Sequence, residues 1–94
     1  MGARGTQTID FGGSFVSEAS VPVTGQGTIL GTSACEAWVM EATTVDNDAL
    51  AHKTLATLGQ CYCESVVAGT GFTIRVLIPE AQATGTFKLQ WVWN

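Results

Sequence analysis

Charged side chains are scarce in this sequence. Lys, Arg, Asp and Glu make up 13% of the 94 residues, whereas soluble globular domains usually carry about 25%. Basic residues are the scarcest, since four Lys and Arg stand against eight Asp and Glu, and they form no cluster. Nucleic-acid binding depends on clustered Lys and Arg that displace counterions from phosphates. We therefore expect no direct nucleic-acid binding, and we expect part of the apolar surface to contact a partner protein.

Long apolar runs are also missing. No segment approaches the roughly 20 apolar residues that span a bilayer, and the first six residues lack the apolar middle of a secretory signal. We expect no membrane association, and we expect the chain to be made and first folded in a cytoplasm.

Sequence signatures of catalysis are lacking as well. The chain has no nucleophile elbow, no Cys–His motif and no Gly-Lys-Ser/Thr phosphate loop. Glu36 and Glu41 fall on opposite faces of a predicted strand, which does not suit an acid–base pair. We predict that the chain is not an enzyme and binds no cofactor.

His52 is the only histidine, which excludes a multi-histidine zinc site. With Asp46 and Asp48 it forms the one sequence-local group of potential ligands. The Asp-x-Asp spacing resembles the start of a calcium loop, but the glycine and the distant glutamate of an EF-hand are missing. We predict a solvated or subunit-contact loop here, with these three residues as weak metal candidates only.

The cysteine count is odd. Cys61 and Cys63 lie two apart on one face of a predicted strand, and one intervening residue is too few for the usual zinc spacing. We favour free thiols buried as small hydrophobic side chains. The alternative is a disulfide from Cys35 to Cys61 or Cys63, which requires Cα atoms within about 7 Å.

Glycine and strand-forming residues are abundant, and two runs near the C-terminus alternate with a period of two. Such a period places one set of side chains on the core face of a sheet. Because residues 79–85 form a short connector, we predict that the two runs pair as an antiparallel hairpin. The predicted core positions, tryptophans included, are Phe72, Ile74, Val76, Ile78, Phe87, Leu89, Trp91 and Trp93.

Further short strands are predicted over residues 8–11, 17–24, 28–30, 34–42 and 60–67, separated by Gly-rich turns. The predicted fold class is all-β: a small antiparallel β-sandwich or jelly-roll-like barrel of six to eight short strands. Residues 1–8 are predicted to be a flexible N-terminal arm, and residues 9–94 a single domain.

Residues 43–59 allow two interpretations. Asp46, Asn47 and Asp48 suit the cap of a short helix that runs to residue 58 and ends at Gly59. That helix would place Leu50, Leu55 and Leu58 on one stripe. The other interpretation, which we narrowly favour, is a loop through Asp48 followed by a strand over residues 53–58.

Seven residues are predicted to contact other subunits, because they lie in the arm, in an edge strand or on the outer face of a strand. Pro22 cannot donate a hydrogen bond to a ladder, so its strand belongs at a sheet edge, where another subunit can add. We expect both faces of the strand around Trp38 to be covered, by a second sheet or by a neighbouring subunit. The interface candidates are Thr6, Thr8, Val21, Pro22, Val23, Trp38 and Met40.

Five segments carry a resemblance that runs nearly from end to end: IDFG (9–12), SEASVPVTG (17–25), EAWV (36–39), VAGTGFTI (67–74) and GTFKLQWVWN (85–94). In these segments the chain resembles a group of small β-rich proteins of tailed bacteriophages. Many members of that group carry more Asp, His and Glu where this chain has Asp46, Asp48 and His52, which lowers the case for a metal here.

The resemblance implies a virion structural protein without catalytic activity, made in the host cytoplasm. The first hypothesis is a capsid decoration (cement) protein that binds and stabilises the assembled shell as a homo-oligomer, with the major capsid protein as partner. The alternatives are a tail, baseplate or fibre-attachment accessory protein, and a carbohydrate- or host-surface-binding module that uses Trp38 or the terminal tryptophans.

Overall fold

Six strands form two three-stranded sheets in the computed structural model, which describes residues 2–94. The elements, in chain order, are β1 (Ala3–Asp10), β2 (Glu18–Val23), β3 (Cys35–Val39), α1 (Ala49–Leu58), β4 (Gln60–Val67), β5 (Gly71–Leu77) and β6 (Thr86–Trp93). One sheet has the order β1-β6-β3 and the other β2-β5-β4, and every pairing is antiparallel. The two sheets pack face to face without closing into a barrel. The predicted small antiparallel β-sandwich is therefore confirmed.

The core lies between the two central strands, as their alternation predicted. Every second residue of β5 and β6 is buried, together with Ile78 just after β5. Phe72 of β5 meets Trp91 of β6 edge to face across the sandwich, with ring centroids 5.6 Å apart. Such a pair contributes about 0.5–1.5 kcal/mol beyond its buried area.

The predicted hairpin between these two runs is wrong, because β5 and β6 belong to different sheets. Residues 79–85 cross from one sheet to the other, so that the apolar faces of the two strands oppose each other instead of lying side by side. Alternation is the same in both arrangements, since it reports which face is buried and not which strand is the neighbour.

The predicted flexible arm is wrong for residues 3–8, which belong to β1 and pair with β6 from Ala3 opposite Trp93 to Asp10 opposite Thr86; Met1 lies outside the described residues. Gly5 explains the misleading composition. It faces the core opposite Trp91, and a Cβ placed on it would lie 2.6 Å from the indole ring. The glycine makes room for a tryptophan there and is not a sign of flexibility.

Irregular segments close the two ends of the sandwich. At one end, residues 24–34 fold across the sheets, and Ile29 is buried there with its N–H donating to Gln26. The predicted strand over residues 28–30 is therefore wrong, and this apolar residue plugs an end of the core. Helix α1 covers the opposite end.

The favoured interpretation of residues 43–59, a loop and then a strand, is wrong, and the helical alternative describes this region. Asp48 is the N-cap, and its Oδ1 accepts a hydrogen bond of 2.8 Å from the Ala51 N–H. The predicted leucine stripe is also corrected. Leu55 is buried together with His52, whereas Leu50 and Leu58 are exposed.

Candidate functional site

Strand β6 continues past the end of its neighbour β3. Its even-numbered residues bond toward β3, since Ala34 and Asn94 exchange both backbone hydrogen bonds and the Met40 N–H donates to the Lys88 carbonyl at 3.2 Å. β3 then departs. The Lys88 N–H and both backbone groups of Thr86 are left facing residues 44–52 and need other partners.

His52 supplies the first of these partners. Its Nε2 accepts from the Lys88 N–H at 3.0 Å, so the proton is on Nδ1, which donates to the Asp48 carbonyl at 2.9 Å. The imidazole is fully buried and meets the Phe87 ring edge on, at a centroid distance of 5.0 Å. His52 therefore takes the position that the next carbonyl of β3 would occupy in the ladder.

Three more side chains complete the edge at Thr86. Asp46 accepts from its N–H at 3.0 Å and from its hydroxyl at 2.8 Å. The Thr44 hydroxyl and the Asn47 amide each donate to its carbonyl at 2.8 Å. These side chains bond the backbone groups of β6 that a neighbouring strand would otherwise bond. We call the four residues the edge cap: Thr44, Asp46, Asn47 and His52.

The weak metal candidates thus have structural partners. Asp46 is bonded to β6, Asp48 caps α1, and both nitrogens of His52 are bonded to backbone groups. Within residues 2–94, no three His, Cys, Asp or Glu side chains are arranged to hold a metal ion. The prediction of a solvated loop is wrong for His52, since a buried imidazole has no contact with solvent.

An apolar groove of about 390 Å³ runs beside the edge cap, between α1 and the crossover of residues 79–85. Leu55, Ile78 and Phe87 belong to the core and line the groove. Phe15 and Leu50 stand beside them with 68% and 71% of their surface exposed. Large, solvent-exposed apolar side chains around a concave surface are typical of a binding site.

The outer face of the β1-β6-β3 sheet gathers four of the predicted interface residues. Trp38 lies opposite Gln90, which lies opposite Thr6, so these three form one row across the sheet. Thr8 lies opposite Lys88 in the next row, beside Met40. Trp38 is 43% exposed, so no second sheet of this chain covers the outer face of β3, and its coverage by a neighbouring subunit stays a prediction.

The other three predicted interface residues belong to β2, which lies at a sheet edge as Pro22 predicted. They do not share a face. Pro22 points outward, Val21 is half-buried against the core, and Val23 is a core residue with 3% exposure. Val23 is therefore corrected from an interface candidate to a packing residue.

The three cysteines are free thiols, half-buried against the core at the side of the sandwich where β3 lies beside β4. Burial raises the pKa of all three, and that of Cys63 to about 12, with the thiols of Cys35 and Cys61 and the Glu36 carboxylate adding to the effect. The thiols are therefore protonated at neutral pH.

These features define a small antiparallel β-sandwich with one apolar groove and one exposed tryptophan face as candidate binding surfaces. No helix within residues 2–94 has both the length and the apolar character needed to cross a membrane. Comparison with known proteins yields no relative: no family model matches the chain, and neither a curated protein nor a solved structure matches it. The resemblance to bacteriophage structural proteins stays a prediction.

Sequence analysis missed the groove. Phe15 has no predicted role because it lies in the short segment between Gly12-Gly13 and the predicted strand over residues 17–24, and Leu50 is grouped with Leu55 and Leu58 only in the helical interpretation of residues 43–59. A usable signal was present in α1 itself: Leu50, Thr54 and Leu58 lie at i, i+4 and i+8 on one side of Leu55, and His52 lies on its other side. The apolar stripe of this helix is therefore wider than the part that the core buries.

Proposed function

We propose that this chain is a non-enzymatic structural protein of a tailed-bacteriophage virion, and specifically a capsid decoration protein that binds the assembled shell as an oligomer. The apolar groove is the observation that carries the proposal. Its exposed Phe15 and Leu50 offer a partner an aromatic and an aliphatic anchor beside a concave wall, and interfaces derive most of their affinity from a few such anchors.

Low charge supports the same function. A domain with 13% charged residues repels neighbouring copies weakly, and the free energy needed to desolvate its surface against a shell lattice is small. The edge strand β2, with Pro22 facing outward, leaves backbone groups available to a neighbouring subunit. Binding to the assembled shell, and not to its free subunits, stabilises the shell by mass action.

The structure changes which segment we hold responsible for binding. The sequence predicts that residues 1–8 form an arm that contacts other subunits, but residues 3–8 are paired in β1. Deleting them would remove a strand from the sheet and would test folding instead of binding. We therefore assign the shell contact to the groove.

The number of copies per particle tests the proposal. Quantitative mass spectrometry of purified particles should give a ratio of this chain to the major shell protein near one, or a simple fraction of one. A very small ratio would move the chain to the tail, baseplate or fibre attachment. Absence of the chain from particles would reject the virion assignment.

Matched substitutions test the groove. Phe15→Ser and Leu50→Ser remove exposed anchors, and both should weaken particle binding at least about tenfold, the effect of losing about 1.4 kcal/mol. Leu30→Ser is the control, because Leu30 is 62% exposed and lies outside the groove. Equal binding by all three variants would contradict the assignment.

One observation favours a second candidate, a carbohydrate-binding module. The indole N–H of Trp38 donates to Gln90 Oε1 at 3.2 Å, which holds an exposed aromatic ring on a polar sheet face beside Thr6. Aromatic rings with one apolar face and nearby amides suit the stacking of sugars. Trp38→Ala should then abolish retention on a glycan array while leaving the melting temperature within a few degrees of wild type. The terminal tryptophans are buried and unsuited to this role.

A further inference from the structure

The open side of the sandwich between β3 and β4 contains the three thiols. These strands are the edges of different sheets, so side chains alone join the sheets along this side. A cavity of about 540 Å³ lies there, lined by Cys35 and Ala37 from one strand and by Cys61 and Cys63 from the other. We call this cavity the thiol slot.

The lining of two neighbouring cavities gives the order of residues along the slot. The thiol slot has Cys35 and Cys63 among its lining residues, but neither Val39 nor Gln60. The adjoining cavity has the reverse composition, with Val39 and Gln60 but not Cys35 or Cys63. β3 and β4 therefore run in opposite directions along this side, and Cys63 is displaced from Cys61 toward Cys35.

Cys61 lies beside Val39, since the two residues line the adjoining cavity together. Burial raises the pKa of the Cys61 thiol, and the Val39 backbone partly offsets that rise. Val39 is four residues from Cys35 and so about 13 Å from it along an extended strand. Cys63 lies two residues closer, which shortens that separation by about 7 Å. After burial, the Cys35 thiol is the largest cause of the raised pKa of Cys63, which agrees with this proximity.

We propose that Cys35 and Cys63 form a disulfide that links the two sheets when the protein meets a low-molecular-weight disulfide such as oxidised glutathione. A thiolate of the pair attacks the external disulfide, forms a mixed disulfide and releases one reduced thiol. The second thiolate attacks the protein sulfur of that mixed disulfide and releases another. The two cysteines lose two protons and two electrons in total, and one external disulfide becomes two thiols.

This site is independent of the proposed virion function, since it depends only on the slot. Because the thiols are protonated at neutral pH, the reaction is slow at pH 7 and accelerates as the pH rises. Once formed, the bond closes the side of the sandwich that no backbone hydrogen bond spans, so the oxidised protein should melt at a higher temperature than the reduced protein.

Peptide mapping identifies the pair. Trypsin cleavage after Lys53 and Arg75 separates Cys35 from the other two cysteines, and chymotrypsin cleavage after Tyr62 then separates Cys61 from Cys63. After incubation of the folded chain with oxidised glutathione at alkaline pH, we expect a loss of two hydrogen atoms from the intact mass and a cross-linked peptide pair containing Cys35 and Cys63.

Cys61→Ala is the matched control and should cross-link as wild type does, whereas Cys63→Ala should not. Cross-linking that persists in Cys63→Ala, or a map that joins Cys35 to Cys61, would overturn the assignment. The absence of any intrachain link, in folded protein whose thiols all react with iodoacetamide at the same pH, would overturn it as well.

Discussion

Replacement of His52 tests the edge cap most directly. His52→Leu keeps an apolar side chain of similar size but removes the acceptor at Nε2, so the Lys88 N–H loses its partner beneath a buried side chain. A buried donor left without a partner costs about 1–3 kcal/mol. The edge-on contact with Phe87 adds about 0.5–1.5 kcal/mol to the loss.

The expected total is about 2–4 kcal/mol of unfolding free energy, from a domain of this length whose whole stability is about 5–14 kcal/mol. His52→Gln restores an acceptor near the position of Nε2 and should recover about 1–2 kcal/mol of that loss. Urea unfolding of the three proteins measures both differences, and the melting temperature of the leucine variant should fall by roughly 10–20 °C.

The rate of amide hydrogen exchange at Lys88 separates this explanation from simple loss of packing. Exchange should accelerate in His52→Leu and be slowed again in His52→Gln, while amides in β5 change only with global stability. Thr57→Ala is the control, because its hydroxyl is exposed on the same helix and bonds only to the Lys53 carbonyl. Two outcomes would refute the reasoning. One is a leucine variant as stable as wild type, and the other is a glutamine variant that is no more stable than a destabilised leucine variant.

Three further predictions concern packing and ionisation. Gly5→Ala should lower the unfolding free energy by about 1–3 kcal/mol in urea titrations, because its Cβ would overlap the Trp91 ring, whereas Gly27→Ala, with open space around it, should change stability little. Trp91→Phe should cost no more than about 1 kcal/mol in the same assay, since among residues 2–94 nothing accepts from its buried indole N–H and removing that donor offsets the lost contacts. Burial raises the pKa of Cys63 in the folded state from 9.0 to about 12, so the stabilisation linked to this thiol is complete below pH 9 and is lost as the pH rises toward 12. The unfolding free energy measured across that range should decline, and it should decline less in Cys63→Ala. An equal decline in the two proteins would contradict the prediction.

The alternation of β5 and β6 predicted the core because burial of one face leaves a period of two in the sequence. It did not predict which strands are neighbours. A seven-residue connector fits a hairpin and a crossover equally well, and the choice depends on β1 and β3, which occupy both edges of β6. The sequences of β5 and β6 alone therefore do not specify which strands pair with them.

Local composition misled the interpretation at two places for one reason. The sequence predicts flexible or solvated segments at Gly5 and His52 because glycine and histidine are common in such segments. In the structure, each of the two residues instead contacts a residue that is distant in sequence. Gly5 makes room for an indole in β6, and His52 supplies an acceptor for an N–H in β6. The partners are 86 and 36 residues away in sequence (91 minus 5, 88 minus 52), beyond the range of any local pattern.

The position of β6 at the centre of its sheet affects how the protein folds. β4 and β5 are the only strands of the described chain that are adjacent in sequence and paired with each other, while the first sheet must bring residue 3 against residue 93. Long-range closure of this kind lowers folding rates. During synthesis the β4–β5 pair is able to form first, whereas β1 and β3 have no strand to pair with until β6 leaves the ribosome. Chaperone dependence should therefore fall once β6 has emerged.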